Sequence, residues 1–181
     1  MKHKNTFTHR AATTDDIPLL KEIMHAAIAK LQTGFLTPKQ VQASFELMGM
    51  DTQLVEDGTY YAIECDGQFV GCGGWSRRET LYGANHTRGR NPRLLDPATE
   101  AARIRAMYTH PDWARQGIGR LIMELCEGKA REEGFKRAEL MATLSGEPLY
   151  KVCGYTPIVY EDVETSLGVK VPLIKMGKPL V

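Results

Sequence analysis

The chain has 181 residues, 43% of them hydrophobic and 25% charged, with 23 Lys and Arg against 22 Asp and Glu. That length suits one domain over residues 1–181, with a core large enough to need no staples. A formal net charge of +1 gives no electrostatic footprint for nucleic acid or an anionic membrane.

Cys65, Cys72, Cys126 and Cys153 include no CxxC pair, which argues against a zinc or redox motif, and no metal is expected. They read as reduced, mostly buried thiols. No apolar run reaches the 18 or so residues that span a bilayer. The segment MKHKNTFTHR lacks the apolar stretch of a secretory leader. The expected location is the cytoplasm.

Thr6 to Arg10 reads as a first strand. TTDDIPLL then starts a helix, with Thr14 or Asp15 as cap and Asp16 at the positive end of the dipole. It runs to about Leu31 on a stripe of Leu19, Leu20, Ile23, Ala27 and Leu31. Pro38 opens a second helix behind the cap Thr37, with Val41, Phe45 and Met48 inward. Tyr60 to Cys65 and Phe69 to Trp75 flank Asp66-Gly67, a strong short hairpin signal. From Ser76 to Thr99 the chain is polar, basic and rich in Gly, Asn and Pro. A connection this long is usually functional or disordered.

Ala102 to Thr109 is a further strand, which Pro111 ends. Gly117 to Glu133 is an amphipathic helix on Ile118, Leu121, Ile122, Leu125 and Ala130, stopped by Gly134. Phe135 to Ala142 is a strand, Glu147 to Val152 a short helix, and Gly154 to Tyr160 and Val169 to Met176 the last strands. The order β-α-α-β-β-β-α-β-α-β-β predicts an α+β (α/β layered) domain with a mixed sheet.

The informative stretch is RIRAMYTHPDWARQGIGRLIM. A strand ends, a short loop follows, and Gly117-Ile118-Gly119 opens a helix. Unpaired N–H groups at a helix start and glycines that permit close approach make a cradle for a pyrophosphate. Arg115 and Arg120 add charge at its rim. From Gly-x-Gly alone, a strand–loop–helix joint with two convenient glycines is the stronger reading, since glycines punctuate turns everywhere. The stretch is neither a GxGxxG fingerprint nor a Walker loop.

THPDWARQGIGRLIM resembles the coenzyme A-binding motif of the GNAT superfamily of N-acetyltransferases, written Q/R-x-x-G-x-G/A. SGEPLYKVCGY is similar to the final helix of that family, with its Tyr followed by a Gly-aromatic pair. The resemblance covers about residues 8–160. It implies a mixed, mostly antiparallel sheet of seven strands flanked by four helices. It implies acetyl-CoA as co-substrate and transfer of its acetyl group to a primary amine of a small acceptor by direct attack. A non-catalytic sensor that binds coenzyme A, or a protein-interaction module on the same fold, is the alternative. A homodimer is one expectation for the assembly.

Residue by residue, the resemblance places the pantetheine arm along the backbone of Met107, Tyr108 and Thr109. It places the pyrophosphate at Ala114, Arg115, Gln116, Gly117, Ile118, Gly119 and Arg120. Ala114 departs from the usual Gln or Arg, which removes one side-chain contact and leaves the backbone cradle. Tyr150 matches the tyrosine that protonates the departing thiolate; a phenol near pKa 10 is a proton donor at neutral pH.

Where several relatives carry a Glu or His base, this strand carries Arg103 and Arg105 on one face. Neither acts as a base at neutral pH. They bind a carboxylate or phosphate of the acceptor, or they pair with acids such as Glu100, Asp96 or Glu139. Tyr82 and the basic loop around it form an acceptor lid or a solvated excursion. Trp75 is a substrate wall or core packing. His110 is a candidate proton carrier facing solvent. The general base is left unassigned.

Overall fold

A computed structural model describes residues 5–180; the first four residues of the segment read for a leader, and Val181, lie outside them. Seven strands form one sheet, β1 (Thr8–Ala11), β2 (Tyr60–Cys65), β3 (Gln68–Ser76), β4 (Ala102–Thr109), β5 (Arg137–Thr143), β6 (Thr156–Glu164) and β7 (Lys170–Pro179), in the order β1-β2-β3-β4-β5-β7-β6. Every neighbouring pair is antiparallel except β4 and β5. Five helices cover it: α1 (Ile17–Leu31), α2 (Pro38–Ser44), α3 (Thr52–Glu56), α4 (Ile118–Glu132) and α5 (Glu147–Val152).

The expected four helices become five because α3 has a signal too short for a periodicity argument. Asp51 caps it by accepting from the Gln53 N–H at 3.1 Å, and Gly58 at φ +70° follows it. Strands β2 and β4 and helix α5 begin and end where expected; the remaining elements shift by a few residues.

One sheet face carries α1. Its stripe is Leu20, Ile23, Met24, Ala27 and Ile28, whereas Leu19 is 54% exposed. Helix α4 covers the other face with Ile118, Ile122, Met123, Cys126 and Ala130. Each Leu or Ile so buried contributes roughly 1.5–3 kcal/mol. The seat for α4 is made by glycines on β3. A Cβ at Gly71 would stand 2.6 Å from Ile118 Cγ2, and one at Gly73 2.7 Å from Ile122 Cγ2. Their missing side chains let the helix lie close on the sheet, which directs its first turn toward the end of β4.

Candidate active site

The site begins where β4 and β5 part. They pair only at Ala102↔Ala138 and Arg103↔Glu139. Beyond that register a bulge diverts β4: Ala106 and Met107 together oppose the single Gly73, and Ala106 adopts φ +50°. The Ala106 carbonyl accepts a 2.7 Å hydrogen bond from the Tyr60 hydroxyl. Parallel strands that diverge at their carboxyl ends leave a crevice between them, the common place for a ligand in such sheets.

Alternation along β4 decides which backbone groups face that crevice. His110 donates its N–H to Val70 O on β3 at 2.9 Å. Tyr108 therefore also turns its backbone toward β3, while Met107 and Thr109 turn theirs away, into the opening. Of the three residues expected along a pantetheine arm, Met107 and Thr109 have free backbone there. Tyr108 contributes only its side chain, whose oxygen accepts from the Gly49 N–H at 3.0 Å.

From the opening a cleft of about 740 Å³ runs to the start of α4. Met107, Thr109, Ala114, Arg115, Gly117, Ile118, Gly119 and Arg120 line it, with α1 and α5 as side walls. Gly117 caps α4 in the left-handed region at φ +92°, preceded by Arg115 at φ +66°. A Cβ at Gly117 would meet nothing within 4 Å, so its requirement for glycine is conformational. Gly119 differs: a Cβ there would stand 2.6 Å from Leu149 Cδ2, so it brings α4 and α5 together. Gln116 is outside this lining and accepts from Asn5 Nδ2 at 2.9 Å.

Tyr150 sits on α5 where the cleft meets a second, smaller cavity of about 80 Å³. Met48, Met107, Tyr108, Thr143 and Tyr150 line both. The Tyr150 ring packs edge-on to Tyr155 at 6.3 Å. Burial, then the neighbouring Cys153 and Cys126 thiols, push its phenol up to about 12, so it stays protonated through the neutral range.

Arg105 and Tyr82 line the smaller cavity. Arg105 is 3% exposed and is held by Asp51 Oδ2 at 2.9 Å and by the Thr80 and Gly83 carbonyls. Its acid partner lies on the α3 cap, which sequence proximity did not suggest. Arg103 pairs with Glu139 and does not line the cavity. Trp75 corrects the substrate-wall expectation: it is 1% exposed and packs edge-on to Phe135 in the core, away from both openings. His110 Nδ1 accepts from the Asp112 N–H at 3.2 Å, capping the turn Pro111–Trp113 outside both cavities.

The 76–99 segment is a pinned loop. Arg77 bonds Glu133 at 2.6 Å, Arg78 bonds Asp57 at 2.7 Å, and Arg90 bonds Asp51 at 2.7 Å. The Thr87 hydroxyl donates to Glu46 O at 2.9 Å. Its turn Leu81-Tyr82-Gly83 walls the smaller cavity. Its basic residues are thus largely matched to acids, which composition alone does not reveal.

A layered sheet split between two parallel strands, with a glycine-started helix aimed at the split, is an α+β architecture with a ligand crevice at the split. The profile of the acetyltransferase (GNAT) family matches residues 24–155, and the chain belongs to that family. Among solved structures it is similar to a GCN5-related N-acetyltransferase of Rhodopseudomonas palustris, at 17% identity over 99% of each chain and a TM-score of 0.71. It is also similar to YncA of Salmonella typhimurium, solved with acetyl-CoA, at 18% identity over 98% and 95% of the chains, TM-score 0.64. The PaiA N-acetyltransferase of Thermoplasma acidophilum, solved with coenzyme A, aligns at 12% identity over 96% and 99%, TM-score 0.63. Comparison with curated protein sequences returned no match. These likenesses agree with the expected fold, a mostly antiparallel mixed sheet of seven strands.

The residues present fit acetyl-CoA. Free β4 backbone at Met107 and Thr109 suits an amide-bearing arm, and the α4 start with Arg115 and Arg120 suits its phosphates. No group of three or more His, Cys, Asp or Glu side chains among the described residues is arranged to hold a metal ion. No described helix is long and apolar enough to cross a membrane.

Proposed function

We propose that this chain transfers the acetyl group of acetyl-CoA to the nitrogen of a small amine by direct attack. The observation that carries the reading is the junction at Tyr150. There a cleft with free strand backbone and a helix start meets a separate small cavity.

Bound acetyl-CoA supplies an activated thioester. The backbone of Met107 and Thr109 pairs with its arm, and the N–H groups from Gly117 to Arg120 hold its phosphates. Backbone N–H groups turned into the opening by the Ala106 bulge are the donors for charge developing on the carbonyl oxygen. Tyr150 donates its proton at the sulfur as the C–S bond breaks. Tyr82 and Arg105 bound the space for the acceptor. Arg105 is held to Asp51, so it acts there through its charge and not as a free fork. The thiols offer no competing nucleophile: Cys126 is buried and raised by desolvation, and Cys153 is raised as well.

Calorimetric titration with acetyl-CoA, followed by thiol release in the presence of amines, tests this. Saturable binding and amine-dependent release support the enzyme. Binding with no release to any amine supports a coenzyme A sensor, and no binding at millimolar cofactor removes both readings.

A further inference from the structure

The acyl-transfer reading leaves the acceptor open, and the wall of the smaller cavity narrows it. Leu47, Leu81, Ile104, Leu140, Met141 and Leu173 give it apolar side-chain walls, mixed with polar backbone, phenol and guanidinium atoms. Its ionisable lining groups, among the described residues, are Arg105 and the phenols of Tyr82, Tyr108 and Tyr150. No carboxylate or imidazole lines it.

The two ion clusters nearest the wall each hold two cations to one carboxylate. Asp51, 1% exposed, gives Oδ2 to Arg105 at 2.9 Å and Oδ1 to Arg90 at 2.7 Å, so one carboxylate serves two guanidinium groups. On the sheet side Glu139 is shared between Arg103 and Lys175. Glu79 and Glu100 share Arg93, which leaves one negative charge in excess there, on half-exposed side chains outside the lining. Glu161 on the edge strand β6 is the acid felt by Tyr82. Burial holds all three phenols in the protonated form: Tyr150 is pushed up to about 12, and Tyr82 and Tyr108 are also raised.

An ammonium entering this cavity sheds hydration, meets no carboxylate in the lining and faces the Arg105 guanidinium, whose single acid partner Asp51 is shared with Arg90. Each effect favours the neutral amine. We infer that the acceptor binds as its free base, and that it is a weakly basic amine on a small apolar body. That chemistry is the α-amine of a neutral amino-acid amide, in preference to an alkylammonium such as a polyamine or a lysine side chain. The nitrogen lone pair forms the C–N bond as the C–S bond breaks. Tyr150 gives its proton to the sulfur and regains the proton that the nitrogen sheds, so no further co-reactant is required.

The test measures thiol release from acetyl-CoA with leucinamide and with isopentylamine, which share a branched apolar body, from pH 6 to 10. For each amine kcat/KM should rise tenfold per pH unit and level at that amine's own pKa. Those values are about 7.7–8.0 for an α-amine and about 10.4 for an alkylamine. The free-base fractions at pH 7 differ by roughly 300-fold, so leucinamide should lead there by up to that factor, less whatever the greater nucleophilicity of the isopentylamine free base returns. Isopentylammonium should not compete with leucinamide at pH 7. A common break near neutrality for both amines would reveal a base on the protein and overturn the inference. Equal or faster reaction of isopentylamine or spermidine at pH 7 would do the same. Acetyl-CoA binding without transfer to either amine defeats this inference alone; failure to bind acetyl-CoA defeats the reading beneath it.

Discussion

The Tyr60 hydroxyl on β2 reaches across β3 to the Ala106 carbonyl on β4, a 2.7 Å hydrogen bond made at the one bulged residue of that strand. Ala106 is held at φ +50°, a conformation that costs roughly 1–2 kcal/mol for a residue with a Cβ. The bond helps to offset that strain, and the strain is what frees the Met107 and Thr109 backbone for a ligand. Tyr60→Phe should lower stability by about 0.5–1.5 kcal/mol. It should also weaken acetyl-CoA binding, although Tyr60 is fully buried and outside the cleft lining. Denaturant melts paired with calorimetry check both; unchanged affinity would detach the bulge from cofactor binding.

Tyr150→Phe keeps the ring and its packing on Tyr155 and removes the hydroxyl proposed as the proton donor. Turnover should fall by roughly 10²–10⁴-fold, the usual range for general acid–base assistance, with acetyl-CoA affinity nearly intact. Because the phenol is pushed up to about 12, it remains protonated across the neutral range. The wild-type kcat should therefore show no falling limb from Tyr150 below about pH 10. A falling limb near neutrality that disappears in the variant would assign Tyr150 a depressed pKa instead.

Gly117→Val places a β-branched side chain at φ +92°. The cap should rearrange, withdrawing the first N–H groups of α4 from the cleft, so acetyl-CoA affinity should drop at least tenfold. Gly119→Ala acts otherwise. Its Cβ meets the flexible end of Leu149, so the expected result is a modest loss of stability as α5 shifts. Equal affinities in both variants and the wild type would move the phosphate site elsewhere.

Asp51→Asn leaves Arg105 buried without a formal counter-charge. Breaking one side of a buried ion pair costs roughly 3–5 kcal/mol, and Asp51 also caps α3 and anchors Arg90. A large drop in melting temperature is expected. Arg78→Ala removes a more exposed pair with Asp57 and should cost much less. Comparable losses in the two variants would mean that Asp51 is not the hub of the acceptor side.

Asp16 gives a pH dependence with a definite sign. The Arg10 guanidinium, bonded at 2.8 and 2.9 Å, holds its carboxyl at about 2, below its usual 3.8. A depressed folded-state pKa stabilises above the unfolded value and is lost as pH falls through the folded one. Its contribution should be complete above about pH 4 and should fade between about 4 and 2. Asp16→Asn should flatten the melting temperature over that window. Arg10 is partly exposed, so the effect should also shrink in high salt.

Much of this protein is local in its chain. The Asp66-Gly67 turn, the Thr37-Pro38 helix start, the amphipathic run of α4 and the Gly134 stop each follow from neighbouring residues, and all lie where expected. The cleft floor was legible for the same reason: a strand, a break and Gly117 are consecutive. Other features depend on contacts between residues far apart in the chain, and no pattern of spacing encodes those. Whether Arg105 is free or held rests on Asp51, 54 residues away. Whether loop 76–99 floats or is fastened rests on Asp51, Asp57 and Glu133. The bulge at Ala106 needs Tyr60 and the register with β3, and it alone turns Met107 and Thr109 into the crevice while Tyr108 faces the sheet. The chain's own order thus determined the elements and the cofactor-type loop. Tertiary packing decided which backbone and which charges face the reacting space, because hydrogen bonds and ion pairs are satisfied in three dimensions.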